Sequence, residues 1–220
     1  MIKVKRIFVL VISFIMAIFC VYPIIYAQGV ETIKLLAPQT ESSKPLMQAL
    51  KERKSLREFS PKELPLQVMS DLLWAANGIN RPGSGHRTAP TAMNLQEIDI
   101  YVAKADGLYL FDAKANVLLQ VAAEDIRALT GSQPFVKDAP VNLIFVADLS
   151  KMSKTSADDI NFYSGTDTGF ISQNVYLYCA SAGLATVVRG WIDKPALSKA
   201  MKLRPDQRIT LAQTVGYPKN

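Results

Sequence analysis

The chain has 220 residues, 49% hydrophobic and 20% charged, with 12 prolines, 11 glycines and a formal charge of +6. That composition suits one globular domain with a full core and excludes a disordered, collagen-like or repeat protein. Lys3, Lys5 and Arg6 supply three of the positive charges, with no acid before Glu31. Beyond residue 27 the charge is therefore +3 (6 − 3), and no basic stripe interleaved with aromatics remains to suggest a nucleic-acid partner.

The first 27 residues differ in kind from the rest. A basic start is followed by a mostly apolar run over 7–25, and Ile25-Tyr26-Ala27 places a small residue at the exit. This reads as a secretory signal peptide of the Sec type, cut after Ala27, and it predicts an exported, periplasmic protein. The alternative is an uncleaved N-terminal anchor, since the run is long enough to span a bilayer. Phe19 beside Cys20 makes a poor lipoprotein signal. Membrane contact is expected only through this segment before cleavage.

Residues 28–44 read as an exposed lead-in and 45–220 as the domain. Over 45–53, Leu46, Met47 and Leu50 recur at helical spacing. Arg53-Lys54-Ser55-Leu56-Arg57 follows. Guanidinium forks bind phosphate oxygens in pairs, and in an extended segment residues 53, 55 and 57 share one side, a small anion cradle. Phe59-Ser60-Pro61 interrupts the chain. Pro65 then opens a second helix, with Val68, Leu72, Leu73 and Ala76 on one face and Gly78 as its stop. Residues 79–93 are the least regular stretch and contain the single histidine, His86; loops of this length are often functional. One histidine is too few for a His-based metal site, and Cys179, the one cysteine after the leader, reads as a buried small apolar residue.

Strands are predicted over 98–103 and 108–111, joined at Asp106-Gly107, and over 117–121. A short helix is expected over 123–129. The run 141–147 is apolar except for Asn142 and reads as a buried central strand. Residues 166–183 form a helix apolar on most sides, with Asp167 at its start and Gly183 at its end, so it should be central and buried. An extended piece over 185–188 leads to Arg189-Gly190. A helix over 195–201 is capped by Asp193, and a last strand spans 209–215. Helices and strands are interspersed without a regular alternating repeat, which favours an α+β fold over a doubly wound parallel sheet.

Four of these pieces, in this order, resemble the nitroreductase family of FMN-dependent oxidoreductases. They are Arg53-Lys54-Ser55-Leu56-Arg57, Pro90-Thr91-Ala92-Met93-Asn94-Leu95-Gln96, the stretch 167–183, and Val188-Arg189-Gly190 leading to Val215-Gly216-Tyr217-Pro218. The resemblance covers about residues 46–218. It implies a central, mostly antiparallel sheet flanked by helices, with a buried central helix. It also implies an FMN site. Arg53 and Ser55 would hold the phosphate and ribityl chain, with Lys54 in the same stretch. Arg57 would reach the pyrimidine edge of the flavin. Pro90, Thr91, Ala92 and Met93 would pass close to the ring, and Asn94 would hydrogen-bond it. Val188, Arg189 and Gly190 would lie along the ring near N5. Members of the family place FMN between two subunits, so a homodimer is implied.

The resemblance predicts transfer of electrons from a small donor through FMN to a nitro, quinone or similar small acceptor, with no acid–base side chain and no metal. NAD(P)H is the usual donor, but it is scarce outside the inner membrane. Two other readings stand beside this one: a flavin-dependent oxidase or dehydrogenase of a peptide or azoline-type substrate, and an exported binding protein that kept the fold and lost the flavin. The chain also departs from the family at its end, where Pro218-Lys219-Asn220 replaces a longer basic tail over the phosphate.

Overall fold

The structure is a computed structural model and describes residues 31–41 and 44–219. The expected signal peptide lies outside the described residues. Seven strands form one antiparallel sheet: β1 (Thr32–Lys34), β4 (Ile98–Lys104), β5 (Gly107–Asp112), β6 (Val117–Ala122), β7 (Val141–Asp148), β8 (Ala185–Arg189) and β9 (Gln207–Gly216). Their order across the sheet is β1-β6-β5-β4-β7-β9-β8. A separate two-stranded ribbon pairs β2 (Ile79–Arg81) with β3 (His86–Arg87). The four α-helices among the described residues are α1 (Leu46–Glu52), α2 (Leu66–Asn77), α3 (Ala157–Ala182) and α4 (Lys194–Ala200).

Strand periodicity explains why the sheet is covered on both faces. Successive side chains point to opposite sides of a strand. Ile98, Ile100 and Val102 of β4 and Leu143, Phe145 and Ala147 of β7 join α2 and α3 in one core. The intervening Tyr101, Ala103, Ile144 and Val146 join Leu197 and Met201 of α4 and its following turn in a second core on the other face. All eight residues of β7 are buried, as a central strand requires. Lys104 pairs with Gly107 across the β4–β5 turn, where Gly107 has φ +144° and an added Cβ would collide with the Ala122 carbonyl oxygen; only glycine fits.

Three expectations need correction. The lead-in contributes an edge strand, because Thr32–Lys34 pair with Val117–Leu119 and Leu35 is buried. No α-helix covers 123–129; a 3-10 turn, Arg127–Thr130, stands there, and four residues of that kind bury little apolar surface. The central helix begins nine residues before the expected 166. Ser156 caps it, accepting the Asp159 N–H, while Asp158 and Asp159 sit in the first turn, where the helix dipole favours acids. Asp167 is therefore an interior, buried residue. Gly183, with φ +69°, ends the helix as expected. Burial of α3 is one-sided within the chain: Ile171, Val175 and Cys179 face the core, while Phe162 and Phe170 are exposed.

Candidate functional site

Two turns of α3 organise the residues singled out by the sequence. The first carries Tyr176, which is buried. Its phenol oxygen meets Ser55 Oγ at 2.8 Å and accepts the Val188 N–H at 3.0 Å. The Arg53 guanidinium lies over its ring, 5.3 Å from the centroid. Leu56 N–H also donates to the Thr186 carbonyl at 3.0 Å. The basic segment is thus laced along the edge strand β8, and one side chain joins Arg53, Ser55 and Val188. Arg57 lines a cleft of about 790 Å³ with Phe59, Phe135, Lys137 and Lys219. Lys219 is brought there because its N–H donates to the Glu58 carbonyl at 3.2 Å.

The second turn carries Asp167. Its Oδ2 accepts the Ala92 N–H at 2.9 Å and so fastens the loop from Pro90 to Asn94. Thr91 Oγ1 accepts the Gln96 N–H at 3.0 Å and donates to Glu97 Oε2 at 3.1 Å. Met93, Asn94 and Gln96 have φ of 51°, 55° and 49°, left-handed values that side chains with a Cβ rarely adopt. Such residues cost on the order of 1–3 kcal/mol each and persist where the surroundings over-determine them. Here the Gln96 side chain supplies further ties: its amide group donates to the Gly85 carbonyl and Asn94 Oδ1, and its oxygen accepts from Arg87 Nε. Met93 is 68% exposed at the loop's tip. His86, expected in a loop, begins the short strand β3, with its Nδ1 2.6 Å from Ser84 Oγ.

At the end of β8, the Arg189 side chain departs from expectation. Its guanidinium does not lie along a ligand surface. It is buried on the opposite face of the sheet from α3, donating to the Thr130 carbonyl at 2.6 Å, Asn142 Oδ1 at 2.9 Å and Thr214 Oγ1 at 3.1 Å. Burial lowers its pKa to about 10, which leaves it charged at neutral pH. Gly131 makes room for it, since a Cβ there would meet Nη1. Only the backbone of Arg189 remains for a ligand. Gly190 is exposed, and an added Cβ would meet only Leu211 Cδ2 at 3.5 Å, an ordinary contact. The chain's own packing does not demand glycine there.

Tyr176 and Glu97 were absent from the sequence-based site. A tyrosine within an apolar helix reads as core, and a single glutamate before a strand carries no motif. The residues present fit a phosphorylated flavin. Arg53, Lys54 and Arg57 make no ion pair among the described residues, so their charge is uncommitted. Ser55 adds a hydroxyl, and the bare Gly190 leaves room for a flat ring. Cys179 is free but fully buried, and burial pushes its thiol pKa up, so it is no nucleophile.

A family profile described as the nitroreductase family matches residues 50–217. The chain belongs to the nitroreductase family, whose members are generally flavin-dependent oxidoreductases. A Methanocaldococcus jannaschii protein that carries a nitroreductase name is 28% identical over 184 residues, 79% of this chain and 92% of that one. A crystal structure from Ralstonia eutropha, also named for a nitroreductase, superposes with a TM-score of 0.83 at 43% identity, covering 86% of this chain and 90% of that one. The NADPH:FMN oxidoreductase of Vibrio harveyi shares the fold, with a TM-score of 0.58 at 17% identity over 80% of this chain and 69% of that one. The α+β fold with its antiparallel sheet is that of the family.

Proposed function

We propose that this protein is an exported FMN-dependent oxidoreductase that passes electrons from a small donor to a nitro, quinone or similar small acceptor. One observation carries the reading: the cations Arg53 and Lys54, without an ion pair among the described residues, precede Ser55 on a segment tied through Tyr176 to β8, which is followed by the unencumbered Gly190. Arg53, Lys54 and Ser55 would hold the FMN phosphate, and the Pro90–Asn94 loop would border the ring. Bound FMN supplies two-electron chemistry, taken from the donor and given to the acceptor in alternation. The chain's own work is to bind, to orient and to exclude water. Tyr176 fixes Ser55 and the Val188 backbone in one register. Asp167 holds the loop at Ala92.

The test is anaerobic. Purified protein reconstituted with FMN is mixed with NADH, NADPH or a quinol, and the flavin spectrum is followed. Bleaching by one donor and recovery on adding a nitroaromatic or quinone supports the reading. A protein that takes up no FMN supports a fold kept for binding alone.

A further inference from the structure

Glu97, just before β4, is wholly buried, yet its Oε1 has no hydrogen-bond partner. Its other oxygen accepts from Thr91 Oγ1. The Asp167 carboxylate of α3 lines the same small cavity as Glu97. That cavity holds only about 10 Å³, room for one water at most. Two ionised carboxylates do not share so dry a space without a cation. No cation among the described residues supplies one. From β3, Arg87 gives Nε to Gln96 Oε1 and Nη1 to the Asn77 carbonyl. From the turn after β7, Lys151 Nζ binds Asp99 Oδ1 and the Gln96 carbonyl. Asp148 donates its N–H to the Glu97 carbonyl, but its carboxylate is engaged by Ser150 and Arg204. The α2 residue at the cavity, Asn77, is neutral.

We propose that Glu97 and Asp167 share a single proton, seated on Glu97 Oε1 and donated to Asp167, and that this hydrogen bond is the clasp that positions the Pro90–Asn94 loop. The proton gives the orphaned oxygen its partner. Both carboxyls then hold the loop together, Glu97 at Thr91 and Asp167 at Ala92, against three left-handed residues that would otherwise relax. Burial first, and the Asp167 charge second, push the Glu97 carboxyl above its usual range, in agreement with this arrangement. Loss of the proton sets two like charges across a dry gap and loosens both anchors. The loop is ordered below the raised pKa of Glu97 and slackens above it. Glu97 is thus a positioning residue, and its role in the reaction rests on the FMN reading of the site.

The clasp itself is tested without flavin, so failure to bind FMN and failure of the clasp are separate results. Infrared spectra of the protein should show the carbonyl stretch of a protonated carboxyl at neutral pH. Among the described acids with a clear shift, only Glu97 is raised; those of Glu52, Asp125 and Asp148 are lowered. Glu97→Gln keeps a donor toward Asp167 and an acceptor for Thr91 but has no proton to lose. It should abolish the band. The exchange protection of the Ala92 amide, corrected for intrinsic rates, should fall by about tenfold in the wild type as the pH is raised above the ordinary carboxylate range and the Glu97 proton is lost, and by less than about twofold in Glu97→Gln. A wild type with no such band at neutral pH, or a variant whose Ala92 protection falls as the wild type's does, overturns the proposal. Should the variant not fold, the wild type decides alone: the band must vanish over the same pH range in which Ala92 loses protection.

Discussion

Tyr176 shows what a single atom can carry here. Its hydroxyl meets Ser55 Oγ and accepts the Val188 N–H, and its ring lies under Arg53. Tyr176→Phe keeps the ring and the cation–π contact but strands the Val188 donor. An unsatisfied donor costs about 1–3 kcal/mol, so the urea midpoint should drop without a change in slope. If the cofactor reading holds, FMN affinity drops with it, because Ser55 loses its support. Arg53→Ala should weaken FMN binding by about 1.5–3 kcal/mol, the value of a charge-assisted contact, with little loss of stability, since Arg53 makes no ion pair among the described residues. Fluorescence quenching of FMN checks both. Arg189 is the opposite case. Arg189→Met should cost about 1–3 kcal/mol of stability by leaving the buried Thr130 carbonyl without its donor, and calorimetry would register it. That location was legible in part: Arg189 shares strand parity with Ala185 and Val187, which are buried against Phe59 and Phe135 on the face away from Tyr176. Reading the segment as a ligand motif hid the parity.

At the scale of elements, alternation and turn chemistry were enough to find six strands of the sheet, β4 to β9, but not the short β1 or the β2–β3 ribbon. Asp106-Gly107 marks a hairpin whose glycine cannot be replaced, and the unbroken apolar run of β7 marks the sheet centre. The helices were less legible. Gly165 and Gly169 interrupt α3, and its first two turns bury little, so the apolar pattern begins only near Asp167. The Ser156–Asp159 cap was the available start signal. Ser156→Ala should cost about 1 kcal/mol, seen as a lower thermal midpoint. The clasp loop adds a pH dependence whose sign is fixed. A carboxyl whose pKa is raised by folding contributes its stability below the unfolded value and loses it as pH rises toward the folded one. Wild-type stability should therefore decline on the alkaline side of the ordinary carboxylate range, and Glu97→Gln should remove that decline. None of this loop architecture is visible in sequence, because Glu97 and Asp167 are 70 positions apart and meet only through α3 packing on the sheet.

For the whole molecule, three proposals extend beyond the single chain described here. Phe162 and Phe170 on α3, and Leu46 and Met47 on α1, are exposed. Apolar faces of this kind suit a partner, and a homodimer with FMN at its interface would cover them. Light scattering across a dilution series should report a dimer, and Phe170→Arg should weaken it. Export is tested by N-terminal sequencing of the mature protein, which should begin at Gln28; a retained Met1 would contradict cleavage. No helix among the described residues is long and apolar enough to cross a membrane. The central claim is that the Arg53–Ser55 segment makes this chain a flavoprotein. Equilibrium titration of the full protein with FMN tests it most directly. We predict saturation at one FMN per chain and affinity markedly weakened in Arg53→Ala; a wild type that does not bind FMN, or a variant that binds it as tightly as the wild type, would contradict the account.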